Sequence, residues 1–377
     1  MTVSARELNR ATLARQLLLE REPLTVPEAI RRVVAIQAQE PASPYLALWS
    51  RISDVDPAAL DAAFADRTVV RSSLLRLTLH AVHADDHPAV YRAMLPSLRA
   101  SRLKDRRFTD TGLTAEDLDR LLPSLHRLLV EPHTQAEIES FLEEQLGKHE
   151  PRAWWALRMY APLHHAPTGG PWSFERVRSF VAAPENDLPH DEAVKRLVLR
   201  YLAGFGPASV QDIAQFTMLR MKVLREALAT LDDDLVGLVG LDGPEGSALL
   251  DVPDGPRPAA DTPAPVRLLP RWDSILLAYA DRSRIIPPEL RPEIIRRNGD
   301  VLATVLVDGY VAGVWRPVEA GIEVTALGPV DDEAWRQLDT EAQALVSFLA
   351  DRDPSVYQRY ARWWGSLPGG ETRVLPT

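Results

Sequence analysis

At 377 residues and 46% apolar composition, the chain can bury more than one core and suits two or three small domains. It has no cysteine, which excludes disulfides, thiolate metal sites and a cysteine nucleophile. No apolar run approaches the ~18 residues of a membrane span and no secretory leader is visible, so a cytoplasmic protein is expected, while a net charge of −10 argues against a general nucleic-acid coat.

The first strong signal is a helix opening at residue 26. Thr25 and Glu28 form a T-x-x-E capping box, and Pro27 is tolerated in a first turn. Val26, Ile30 and Val33 then mark one face, and the next position on that face is Gln37, with Gln39 following before Glu40-Pro41 ends the helix. Residues 73–87 alternate as a half-buried strand, with Leu75, Leu77, Leu79 and Ala81 on one side and Arg76, Thr78 and His80 on the other. Asp85 and Asp86 suit the cap of a helix beginning near Pro88.

Farther on, Thr134 caps the helix "QAEIESFLEEQL", and "AWWALRMYAPLHHAP" reads as another, followed by "GGPWSF". Residues 205–231 read as a helix-turn-helix: Ser209 and Asp212 box the first helix, Thr217-Met218 lies near the turn, and the second runs to Leu231. Its Arg220, Lys222 and Arg225 face outward. Strands at 235–241 and 247–252, joined by a Gly/Pro turn, complete a winged-helix order. A hairpin over 301–315 turns at Asp308-Gly309, "GIEVTALGPV" adds a strand, and a helix over about 332–350 precedes an aromatic tail.

The fold class expected is therefore α+β, mainly helical: three tandem winged-helix (helix-turn-helix) domains at 1–130, 131–203 and 204–260. A β-rich C-terminal element at 261–377 follows, with no parallel sheet between segments.

Charge is uneven along the chain. Residues 67–107 carry nine Arg/Lys against three Asp, and 282–297 carry five Arg against two Glu. Two basic islands on an acidic body suit a concave phosphate-binding surface, and they suit solvated helix faces equally. Arg106, Arg107, Arg282 and Arg284 are the candidate phosphate contacts. "HADDH" (83–87) and His164-His165 make poor metal sites, since adjacent histidines rarely reach one ion. There is no phosphate-binding glycine loop, dinucleotide fingerprint or nucleophile elbow, so no metal and no cofactor are expected.

Gln37 leaves two accounts open. A buried amide can satisfy stray backbone groups where helix meets wing. Alternatively, both amides can position a water, but residues two apart on a helix diverge by about 200°, so the helix must loosen before Pro41 for them to converge.

The Q-x-Q stretch, "RLTLHAVHADD", the helix-turn-helix opening "GPAS" and "LLPRWDSILLAYADRSRIIP" (268–287) together resemble the AlkZ/YcaQ superfamily of bacterial winged-helix DNA glycosylases. These ordered blocks span nearly the whole chain. The resemblance implies a C-shaped monomer gripping double-stranded DNA that contains alkylated or crosslinked purines. It further implies a monofunctional glycosylase with Gln37 and Gln39 as catalytic amides and Arg76 and His80 in support.

The YcaQ branch has aspartate where this chain has Gln39, which makes the chain similar to the AlkZ branch. That points to excision of N7-alkylguanine, unhooking of interstrand crosslinks, and self-resistance to an azinomycin-type agent. The amide pair suits such a target, because an N7-alkylated guanine is cationic and leaves without a general acid. The competing readings are a non-catalytic winged-helix regulator, with Arg220, Lys222 and Arg225 on its recognition helix, and a drug-sequestering resistance protein.

Overall fold

The computed structural model describes residues 2–174, 177–241 and 248–376. The fold is mixed α+β. Its helices begin where side-chain caps allow: full capping boxes close Ser4/Glu7, Thr25/Glu28, Thr114/Asp117, Thr134/Glu137 and Ser209/Asp212. Each such box satisfies two backbone donors that a helix start leaves orphaned. The helix expected to cap on Asp85 or Asp86 has Asp86 at its N-cap position, but no side-chain cap bond forms. It spans His87–Leu103, and the Asp86 carboxylate instead takes Arg200 at 2.9 Å.

Three sheets organise the strands. A six-stranded antiparallel sheet runs in the order 36–37, 79–83, 69–73, 163–166, 179–182, 133–134. A five-stranded antiparallel sheet follows the order 267–269, 304–307, 310–318, 321–326, 372–375. In the third, Val236–Gly240 pairs antiparallel with Ala248–Asp251 and parallel with Thr2–Val3. That two-residue pairing is the exception to the expected absence of parallel contacts between segments. The turn expected before Ala248 falls on residues outside those described.

Packing crosses the segment boundaries. One core joins Val90, Met94 and Leu98 to Trp154, Leu157, Leu197, Phe205 and Phe216. A second joins Ile30, Tyr45 and Leu46 to Val305, Trp315 and Leu338 of the C-terminal sheet and helix. Buried ion pairs stitch the same interfaces: Arg15 with Asp251, and Arg51 bidentate with Asp273 at 2.8 Å on both arms.

Four local expectations change. The helix opened by Thr25 covers only Val26–Arg32, because Val34 adopts φ 74° and the chain turns extended at Ile36–Gln37. The continuous strand over 73–87 is instead a hairpin. Strand Val69–Ser73 turns through Leu75–Leu77, with Arg76 and Leu77 at positive φ, into strand Leu79–His83. The helix containing Trp154 stops at Tyr160, and Leu163–Ala166 is a strand. The second helix of the helix-turn-helix is Met221–Leu228, with Met218 left-handed between the two.

The hairpin around Asp308-Gly309 forms as expected, with φ of 47° and 82° at the turn. Its tip is not free. It docks on the first helix, Ala5–Arg15: Asn9 donates to the Gly309 carbonyl at 2.8 Å and Arg6 pairs with Asp308 at 2.7 Å.

Candidate active site

The Q-x-Q segment is extended, and this answers the question its spacing raised. Alternate residues of an extended chain share a side, so Gln37 and Gln39 turn one way and Ala38 the other. Ala38 is fully buried and fixed through both of its backbone groups. Its N–H donates to the Leu79 carbonyl at 2.8 Å, and its carbonyl accepts from Arg71 Nε at 3.1 Å and Nη2 at 2.9 Å.

The flanks are clasped from the 268–287 block. Ser274 Oγ donates to the Ala35 carbonyl at 3.0 Å, and Ser43 Oγ donates to the Arg271 carbonyl at 3.2 Å. With the middle residue anchored inward, both glutamine amides are presented outward.

They present to a cavity of about 460 Å³. Gln37 is buried and Gln39 exposed, and neither side-chain amide has a hydrogen-bond partner among the described residues. Arg76 lines the same cavity from the hairpin turn. His80 stands directly opposite Gln37 in the strand ladder, so the two side chains share a sheet face. Its ring is buried, with Nδ1 3.1 Å from the Thr78 carbonyl oxygen. Burial first, and then Arg76, hold its pKa down to about 4. The imidazole is a neutral neighbour of the glutamine strand. Arg76 and His80 therefore both lie beside the amides, one in the cavity and one behind it.

Arg102, Arg158 and Arg178 also line this cavity, with His165 and Phe180. His165 stays neutral, lowered well below its ordinary value by burial first and then by Arg71, Arg178 and Arg158. Arg76, Asn298 and Gly299 are shared with a neighbouring cavity of about 1000 Å³, which Arg282, Arg291, Arg296 and Arg297 line. Burial, and then the charges of Arg291 and Arg76, push Arg282 down to about 10.

Among the described residues, none of these eight arginines is paired with a carboxylate. Elsewhere most arginines are paired, as in Arg99–Asp119, Arg316–Glu323 and Arg352–Asp61. The joined cavities thus concentrate uncompensated positive charge on an acidic protein, which suits a polyanion.

The other expected phosphate contacts divide. Arg282 belongs to this track. Arg106 and Arg107 are exposed on the short helix Arg106–Thr109 and paired with Asp110 and Asp105. They do not line either cavity, although Arg107 and the cavity residue Arg102 both lie over Trp155, at 4.6 and 4.4 Å. Arg284 is not exposed as expected. It is buried, donates to the Pro207 carbonyl at 2.8 Å and stacks on Tyr279 at 4.0 Å.

Residues that sequence reasoning missed are Arg158, Arg178, His165, Trp272, Asn298 and Asp300. Arg296 and Arg297 were counted only as part of a basic island. The Asn298-Gly299 turn beside that pair was a usable signal; Arg158 and Arg178 lie outside both basic islands and gave none. Among the described residues, no group of three His, Asp or Glu is placed to hold a metal.

A family model described as "DNA glycosylase AlkZ-like" matches residues 30–348, which include the glutamine strand, the arginine walls and the clasp at 271–274. The chain belongs to the AlkZ-like DNA glycosylase family. It is accordingly a DNA N-glycosylase, and its substrate is DNA. An interstrand DNA cross-link repair glycosylase of Streptomyces sahachiroi is 23% identical over 363 residues, covering 91% of this chain and 95% of that protein. The solved structure of the Streptomyces sahachiroi DNA glycosylase AlkZ matches with a TM-score of 0.78 at 21% identity, over 92% of this chain and 96% of that one. Among the described residues, no helix is long and apolar enough to cross a membrane.

Proposed function

We propose that the chain hydrolyses the N-glycosidic bond of cationic N7-alkylguanine in duplex DNA. In the same chemistry it unhooks interstrand crosslinks joined through such bases, and so protects a producer from an azinomycin-type alkylating agent. It works as a cytoplasmic monomer associated with the nucleoid. The observation that carries this reading is the pair of amides, Gln37 and Gln39, on a cavity walled by arginines, the amides without hydrogen-bond partners and the arginines without carboxylates among the described residues.

N7-alkylation places a positive charge on the base, so C1′–N9 cleavage releases a neutral base and needs no general acid. What remains is a water held beneath the cationic sugar. Gln37 and Gln39 hold it through amide oxygen and N–H, a positioning role. Arg76 and the arginines of both walls take the phosphates on either side of the target nucleotide. His80 packs behind Gln37 as a neutral support. Arg106 and Arg107, one step from Arg102 across Trp155, contact the flanking duplex. The partition into units 1–130, 131–203, 204–260 and 261–377 belongs to the same reading, with the first unit supplying the amides and the last supplying the 296–300 wall.

The test is a duplex carrying one N7-methylguanine, incubated with the protein and then heated in alkali. A glycosylase leaves an abasic site and hence a strand break. An intact strand at enzyme excess overturns the reading.

A further inference from the structure

The cavity presented to the glutamines has a second chemical character, contributed by the C-terminal unit. Trp272, Asn298 and Asp300 line it there, and Asp300 is the one carboxylate lining it among the described residues. The carboxylate is deliberately held. Asn298 Nδ2 donates to its Oδ2 at 2.9 Å, while the Asp300 N–H donates to Asn298 Oδ1 at 3.1 Å. Trp272 Nε1 in turn donates to the Gly299 carbonyl at 2.8 Å, which ties the turn to the indole.

Behind this wall lies Arg271, wholly buried, its Nη2 3.9 Å from Asp300 Oδ1. The guanidinium carbon sits 3.2 Å from the Tyr360 ring centroid and 4.5 Å from that of Trp272, and its nitrogens have no hydrogen-bond partner among the described residues. A guanidinium that could take the carboxylate bidentately is instead given to aromatic faces. Asp300 keeps 30% of its side chain exposed. The pair is therefore a dipole whose buried end is positive and whose accessible end is negative.

The amides at 37 and 39 carry no net charge and offer a cationic base only a dipole. The arginines repel a cation until phosphates neutralise them. Among the described residues lining this cavity, Asp300 alone carries a negative charge to meet a positively charged ring.

We propose that Asp300, framed by Trp272 and Asn298, is the residue that selects a cationic target base over a neutral base of the same shape. This rests on the function proposed above and names the specificity element of the same site.

Two duplexes test it by binding. One carries N7-methylguanine whose glycosidic bond is stabilised by a fluorine on the adjacent sugar carbon. The other carries its neutral isostere, 7-methyl-7-deazaguanine. The native protein should prefer the cationic duplex by about tenfold or more, equivalent to ~1.4 kcal/mol. Asp300→Asn keeps the shape and an acceptor for Asn298, and it should erase that preference while leaving affinity for the neutral duplex unchanged.

Arg271→Met should act in the opposite direction. Removing the buried cation unmasks the carboxylate and raises the preference, and methionine fills the aromatic enclosure. Should Asp300→Asn fail to fold, as judged by melting and by binding of undamaged duplex, Arg271→Met decides alone.

An undiminished preference in folded Asp300→Asn overturns the proposal, as does an unchanged one in Arg271→Met. Loss of turnover with preference intact also overturns it, because the carboxylate would then serve the sugar. If the native protein excises N7-methylguanine and folded Asp300→Asn discriminates as well as it does, this inference fails and the glycosylase reading stands. If no excision occurs at all, the glycosylase reading itself fails.

Discussion

Replacing either glutamine separates chemistry from stability, because neither amide is used to hold the fold together. Gln37 is 5% exposed, and its side-chain amide bonds to no protein group among the described residues. Gln37→Ala therefore costs no protein hydrogen bond. It removes roughly one buried methylene, about 0.8 kcal/mol. Gln39 is exposed, so its alanine variant should lie within about 0.5 kcal/mol of the native protein. In a chain of this length such changes move Tm by only about 1 °C.

Loss of a water-positioning hydrogen bond should instead slow excision by roughly 10–10³-fold, about 1.4–4 kcal/mol of barrier. Because the two amides hold one water, the double alanine variant should be little worse than the poorer single one. Gln39→Asp should retain or broaden activity, since a carboxylate both holds water and stabilises a cationic sugar. Single-turnover release of N7-methylguanine, read as alkali-labile strand breaks, gives the rates, and thermal melting gives the stability. Two alanine variants that excise at the native rate but melt early would show the glutamines to be structural and refute the reasoning.

Arg158→Gln, Arg178→Gln, Arg282→Gln and Arg297→Gln should each weaken DNA binding and make the salt dependence shallower by about one unit, measured by fluorescence anisotropy across a salt series. Arg284→Ala should leave that slope alone and cost about 1–3 kcal/mol of stability, because its guanidinium is spent on Pro207 and Tyr279. Asp273→Ala should destabilise by about 3–5 kcal/mol in urea unfolding, since Arg51 would be left buried and unpaired; a loss under about 1 kcal/mol would contradict this.

His80, His87, His164 and His165 are all held neutral, chiefly by burial, with His80 and His164 lowered to about 4. The unfolded chain takes up protons near pH 6.5 that these rings refuse. Stability is thus complete above that pH and falls as pH drops toward 4, by up to ~1.4 kcal/mol per unit for each ring. A flat urea midpoint between pH 7 and pH 5 would refute it.

The Q-x-Q segment shows what a periodicity argument can and cannot carry. Val26, Ile30 and Val33 truly share a buried helical face, so Gln37 read naturally as the next residue on it. The helix ends at Arg32 because Val34 takes a left-handed backbone and Ile36 pairs with Ala81, a long-range contact absent from any local window. The chemical reading of the two amides did not depend on that error. It required only that they converge, and the extended chain achieves this directly, where a helix would have had to unwind. The hairpin at 73–79 misled for a related reason, since alternation continues across a tight turn when Leu75 is buried at its base.

The arginine walls were not legible, and charge counting could not have made them so. Both Arg99 and Arg102 lie in the same basic island, three residues apart, on one helix. Arg99 is bound bidentate to Asp119, whereas Arg102 faces the cavity with no carboxylate partner among the described residues. What separates them is a carboxylate from a later helix, and only the fold decides where that carboxylate lies. A basic island therefore predicts a polyanion surface only after its internal ion pairs have been subtracted. Among the described residues, the arginines left without a carboxylate that line the two cavities are Arg76 and Arg102 from the first island, Arg282, Arg291, Arg296 and Arg297 from the second, and Arg158 and Arg178 from neither. On an acidic protein, that residue of unpaired charge is what can draw DNA to the glutamines rather than to the rest of the surface.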